Sequence, residues 1–217
     1  MKLKIALCII ATTIAMSAQS QNSEFKKEFC IGANFGATYP TVSFDPTVSQ
    51  KFNYTYSGGL SFRYITQKHF GLQWELNYSQ RGWTEANTLQ GTFSKNLDYV
   101  ELPLLTHIYF GKEKSRFFVN LGPKIRYLIY EKSNSTYTNP TAYQQITAVE
   151  NKLDYSILGG SGLEVRTKKA GYFQLEARYD FGLGDIFKNS KADYFARSSN
   201  QAFSINFVYF FNVLNSK

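Results

Sequence analysis

Twelve ionisable side chains recur at every second position within alternating segments of this chain. Six are acids: Glu75, Glu101, Asp154, Glu164, Glu176 and Asp180. Six are bases: Arg63, Arg81, Lys124, Arg126, Arg166 and Arg178. Such a set could transfer protons at a substrate, line a path for ions, or neutralise itself. Catalysis needs a nucleophile or acid–base pair within reach of one another. The two histidines are His69 and His107. His107 has Glu101 six residues back on the same face, roughly 20 Å away along a strand. A structural histidine is the expectation. The outward face carries no His/Ser/Glu set for lipid hydrolysis. No phosphate loop, paired metal motif or nucleotide fingerprint is present, so no catalytic residue, cofactor or metal is assigned and no enzyme is expected. The balance of six against six favours mutual pairing, because removing one partner of a buried ion pair costs about 3–5 kcal/mol.

These side chains must be positioned by strands, since apolar residues alternate with them at period two. Eight runs show the pattern. The first sets Phe29, Ile31, Phe35 and Tyr39 against Cys30, Gly32, Asn34, Gly36 and Thr38. The second, FNYTYSGGLSFRY from residue 52, sets Tyr54, Leu60 and Phe62 against Ser61 and Arg63. Runs three to five place Leu72, Trp74 and Leu76, then Val100, Leu102 and Leu104, then Val119, Leu121 and Ile125 on the apolar face. Runs six to eight do the same with Tyr155, Ile157 and Leu163, then Phe173, Leu175 and Tyr179, then Phe203, Ile205 and Phe207. Short connections at 65–69, 111–116 and 167–171 alternate with long polar ones near 40–51, 82–97, 131–152 and 184–200.

Volume decides which face is inside. The apolar face carries most of the 19 Phe and 16 Tyr. An eight-stranded barrel has an interior just wide enough for its own side chains. So many rings would overfill it, whereas the Gly, Ser, Asn and Thr of the other face would fit. The rings therefore face outward, into lipid. The expected fold is all-β: an eight-stranded antiparallel up-and-down transmembrane β-barrel, with short periplasmic turns and long extracellular loops. A soluble two-sheet sandwich or a lipocalin-like barrel could bury the same face, but neither explains the turn-length alternation. Pro103 and Pro123 lie inside runs four and five and are expected to mark bulges.

Residues 1–20 read as a signal peptide. Lys2 and Lys4 form a basic start, Ile5 to Met16 is apolar, and Ala18-Gln19-Ser20 is a small-x-small site. Cys8 falls too early for a lipoprotein cysteine. The remainder, 21–217, is one barrel domain. Losing Lys2 and Lys4 takes the net charge from +8 to +6. Of that, +5 lies in the short turns, on Lys68, Lys112, Glu113, Lys114, Arg116, Lys168 and Lys169. Cys30 is then the sole thiol, so no internal disulfide forms. Nucleic acid is not an expected partner of an exported chain. Outer-membrane lipid is.

The stretch LDYVELPLLTHIYFG, residues 97–111, resembles the strand motif of the PorT-like outer-membrane β-barrel family. Tyr99 and Val100 precede Glu101-Leu102-Pro103, and an apolar strand follows to Tyr109, Phe110 and Gly111. The next segment, VNLGPKIRYLI with Gly122 and Pro123, is similar to the family's following strand. The resemblance implies an eight-stranded barrel in the outer membrane of a Gram-negative bacterium, and implies little about activity. One departure is that Phe211 is followed by Asn212 to Lys217, where such chains usually end on an aromatic.

The expected role is structural or interactive, with the interior plugged. Tyr137, Tyr143, Phe187, Tyr194 and Phe195 on the long loops are candidates for a surface that binds a protein or glycan, although a self-packed loop cap is the favoured reading of these rings. A narrow porin-like pore and a lipid-modifying hydrolase are the other functional readings. A monomer is expected.

Overall fold

The computed structural model describes residues 27–87, 91–112, 114–137, 142–167, 170–189 and 193–215. The signal segment with Cys8 lies outside them, as do Glu113, Lys168 and Lys169. Eight strands form: β1 (Glu28–Asp45), β2 (Thr55–Gln67), β3 (Phe70–Asn87), β4 (Gly91–Gly111), β5 (Ser115–Ser135), β6 (Leu153–Arg166), β7 (Tyr172–Asp185) and β8 (Arg197–Asn215). One short helix, α1 (Tyr143–Ile146), lies between β5 and β6. Each strand pairs antiparallel with the next. β1 and β8 close the ring from Glu28–Asn215 to Asp45–Arg197.

The predicted faces hold in all eight strands. Leu60, Leu104, Leu121 and Leu175 are half exposed on the outer wall, while Ser61, Arg63, Glu75 and Glu101 are buried inside. Tyr and Phe gather at both rims of the apolar band, with Tyr56, Tyr78, Tyr127 and Tyr155 toward the long loops and Phe70, Phe110, Phe117 and Phe211 toward the short turns. This is the girdled band of a lipid-facing barrel.

Three expectations are corrected. The segment 82–97 is not a long loop: β3 runs to Asn87 and β4 starts at Gly91. Strands also reach further than predicted at β1, β5 and β8. The two prolines cause no bulge. The β3–β4 register is the same on both sides of Pro103, and the β4–β5 register the same on both sides of Pro123. Each instead coincides with a short gap in one ladder. Leu102 and Pro103 are skipped opposite Leu76 and Glu75, and Gly122 and Pro123 opposite Leu105 and Leu104. A missing N–H removes a bond without adding a residue. The β4–β5 ladder bulges instead at Ile129, where Asp98 pairs with Tyr130 but Tyr99 with Leu128. It turns Ile129 and Tyr130 outward together. Near the same level β3 passes close to β4 at Gly82, whose φ is +123° and where a Cβ would stand 1.9 Å from the Lys95 carbonyl oxygen. Only glycine fits that approach. β8 continues past Phe211 to Asn215, with Val213 still facing out.

Candidate functional site

The interior is filled by the charges that the alternation points inward, and they fall into three tiers. The tier nearest the long loops joins Arg81, Lys124 and Arg126 to Glu101, Asp154 and Asp180. Arg81 Nη2 lies 2.9 Å from Glu101 Oε1 and 3.0 Å from Asp180 Oδ2. Lys124 Nζ lies 3.0 Å from Glu101 Oε2 and also contacts Asp180. Arg126 donates to Asp154 at 2.7 Å and to Asp180 at 2.9 Å. Asn200 donates to Asp154 at 2.9 Å.

In the middle tier Arg178 grips Glu75 with both terminal nitrogens, at 2.8 and 2.7 Å, and donates to Glu176 at 2.8 Å. This fork is the strong geometry for a guanidinium and a carboxylate. Gln73 and Asn77 donate to the two Glu75 oxygens at 2.8 and 2.9 Å. Asn34 bridges Asn77 and Ser61, at 2.8 Å each. Gly160 leaves room here: a Cβ would stand 2.5 Å from Glu176 Oε1.

The tier nearest the short turns joins Arg63 to Glu164, and Arg166 to Glu28 and Glu164. Arg63 lies 4.4 Å over the Phe210 ring and Arg166 3.9 Å over Tyr172. His107 meets Asn120 Oδ1 through Nδ1 at 2.8 Å, and Asn120 donates to Glu176 at 2.9 Å. Glu101 is held by Arg81 and Lys124, so it does not orient His107.

Three of these bridges cross the lumen. Arg81 on β3 reaches Asp180 on β7, Arg178 on β7 reaches Glu75 on β3, and Arg63 on β2 reaches Glu164 on β6. In a ring of eight, strands four apart are opposite walls. A cavity of about 20 Å³ between the upper tiers has room for about one water. Apolar clusters lie at both ends. Ile65, Tyr109 and Phe118, with Cys30, Val208 and Phe210, lie at the short-turn end. At the other end Val42, Phe44, Trp83, Phe93, Leu97, Tyr99 and Leu128 pack with Val149, Ile186, Phe187 and Phe195.

That packing corrects the loop-surface expectation. Phe187 and Phe195 are fully buried in the cap, and Tyr137 and Tyr143 pack partly against it. Tyr194 alone of the five is well exposed, stacked on Tyr143 at 5.4 Å. The self-packed cap, the favoured reading of these rings, is the arrangement found for Phe187 and Phe195. Glu150 ties its segments together: it accepts from the Lys188 N–H at 3.0 Å, which holds its carboxyl below the usual range.

The sequence reading missed Glu28, Gln73, Asn77, Asn120 and Asn200 as network members. It also missed Trp83, Phe93 and Leu97. These share the odd-numbered inward parity of Glu75 and Glu101, so continued parity was the available signal. Among the described residues no group of three or more His, Cys, Asp or Glu could hold a metal ion.

Residues 17–188 match the family model described as the outer membrane protein beta-barrel domain. Solved outer-membrane proteins are similar to this chain. The outer membrane protein OprG of Pseudomonas aeruginosa is 14% identical, with 85% of this chain and 95% of that one covered at a TM-score of 0.50. Ail, the attachment invasion locus protein of Yersinia pestis, is 13% identical, covering 87% of this chain and 100% of that one at 0.44. Neisserial surface protein A is 11% identical, covering 84% and 97% at 0.42. A comparison with curated proteins found no match. The chain belongs to the outer membrane protein beta-barrel domain family and is a β-barrel of the bacterial outer membrane.

Proposed function

We propose that this family member is a closed, non-enzymatic barrel that acts through its extracellular end, by contact with a protein or glycan, and not by conducting solutes. In an outer-membrane barrel the long loops are extracellular and the short turns periplasmic. The observation that carries the reading is the set of ion pairs spanning the lumen from opposite walls. An ion path needs weakly held charges facing water. Here each of the twelve lumen charges predicted from the alternation is buried, or nearly so, and contacts at least one opposite charge. The apolar ends support the same conclusion. The Glu101-Leu102-Pro103 strand supports a PorT-like placement within the family. Planar-bilayer recording of the full-length mature protein tests the reading. Current at background is expected, and stable single-channel steps in the wild type would overturn it in favour of a narrow pore.

A further inference from the structure

The extracellular cap opens into a cleft of about 340 Å³. Glu85 forms part of its lining and is only 7% exposed; Tyr137, Tyr194, Phe195 and Val48 stand around it. Glu85 differs from the carboxylates of the lumen. Each of those contacts an Arg or Lys, whereas among the described residues Glu85 is held by neutral donors. Trp83 Nε1 donates to Oε1 at 2.7 Å. Gln145 and Gln144 donate to Oε2 at 2.9 and 3.3 Å. Lys95, the buried cation of the cap among the described residues, is engaged by Glu131 at 3.0 Å and by the Thr147 carbonyl.

A buried carboxylate that has only neutral donors among the described residues gains from a cation placed beside it. Aromatic faces around it attract a cation that also carries carbon substituents. A hard metal ion would need several oxygen ligands, and one carboxylate does not supply them. We propose that this cleft binds a small organic ammonium ion, with Glu85 as counter-ion and the rings of Tyr137 and Tyr194 as walls. The inference rests on the reading that function lies at the cap and names the chemistry recognised there.

Trp83 is a built-in reporter, because its indole N–H is bonded to Glu85. The chain has 2 Trp, and the other, Trp74, lies on the outer wall, so Trp74→Phe isolates the signal. The folded Trp74→Phe protein in detergent is titrated with choline, with N-acetyl-lysine amide, and with 3,3-dimethylbutan-1-ol, the neutral isostere of choline. A saturable change in Trp83 emission is expected with an ammonium probe and not with the isostere. Response to choline identifies a free small-molecule ammonium ion; response to the lysine amide alone identifies a protein side chain. Glu85→Gln should weaken binding by about tenfold or more, the scale of a lost charge-assisted contact. Tyr194→Ala, whose side chain is exposed outside the packed cap, should weaken it several-fold without disturbing the fold. The proposal is overturned by the absence of saturation with both ammonium probes, by an equal response to the isostere, or by unchanged affinity in both variants. Such a failure with bilayer current still at background would remove the ligand and leave the closed-barrel reading standing.

Discussion

Below Tyr99, β4 carries Val100, Leu102 and Leu104 outward and Glu101 inward. Above it, the same strand carries Thr92, Ser94, Asn96 and Asp98 outward and Phe93, Leu97 and Tyr99 inward. No face switch intervenes, since odd-numbered residues point in throughout. What inverts is the solvent. In the lower region the outer wall meets lipid, so apolar groups go out and the polar remainder must satisfy itself inside. In the upper region the outer wall meets water and the interior becomes an ordinary apolar core. β1 repeats the change, from Asn34 and Thr38 inside to Val42 and Phe44. One barrel thus holds two cores of opposite polarity, and they should fail in different ways.

A charge lost from the ion-paired core should weaken the barrel as a whole. Glu101→Gln leaves Arg81 and Lys124 sharing Asp180, and should lower stability by about 3–5 kcal/mol, measured by urea-driven loss of heat-modifiable mobility. In the apolar core, Trp83→Ala should cost about 3–5 kcal/mol. That loss should be local: protease sensitivity and faster amide exchange in residues 142–150 and 193–197, with the lipid-level strands still protected. Loss of the whole barrel would show that the two cores are one cooperative unit.

The outer wall sharpens the contrast more finely. Leu104→Arg, in mid-band, should cost about 2–4 kcal/mol, while Asn96→Arg, eight residues up on the same face, should cost about 0–1 kcal/mol. Equal effects would place lipid against both positions. A cysteine at Asn96 should also react with an impermeant thiol reagent on whole cells, and one at Lys114 only after the outer membrane is opened.

The same inversion explains what could be read from the sequence. The eight strands and their faces were legible because lipid imposes strict alternation, and all twelve charges were placed inside for that reason. The upper strand ends were not. Where Thr and Ser face water and Trp83 and Phe93 face in, the segment loses its apolar outward signature and reads as a polar loop. Pairing was illegible for a different reason. Arg126 stands directly opposite Glu101 on one side and Asp154 on the other, and its guanidinium takes Asp154 and reaches past the ladders to Asp180. Arg81 and Asp180 meet across the lumen from strands far apart in the chain. Long side chains choose partners in three dimensions, not only along a ladder. Phe187 and Phe195 were read as surface because their sequence neighbours are polar, although the loops fold them inward.

The central claim is that the lumen is held by neutralised charge and not by water. Arg178 tests it most directly, because it is the only cation bonded to Glu75 and Glu176 among the described residues. Stability should be measured for Arg178→Met and for the triple change Arg178→Met, Glu75→Gln, Glu176→Gln. The single change strands two buried carboxylates and should cost about 3–5 kcal/mol or more. The triple change removes the charges together and should recover most of that loss, a coupling that independent sites would not show. A single change costing under about 1 kcal/mol, as for a water-screened pair, with further loss in the triple, would contradict the account.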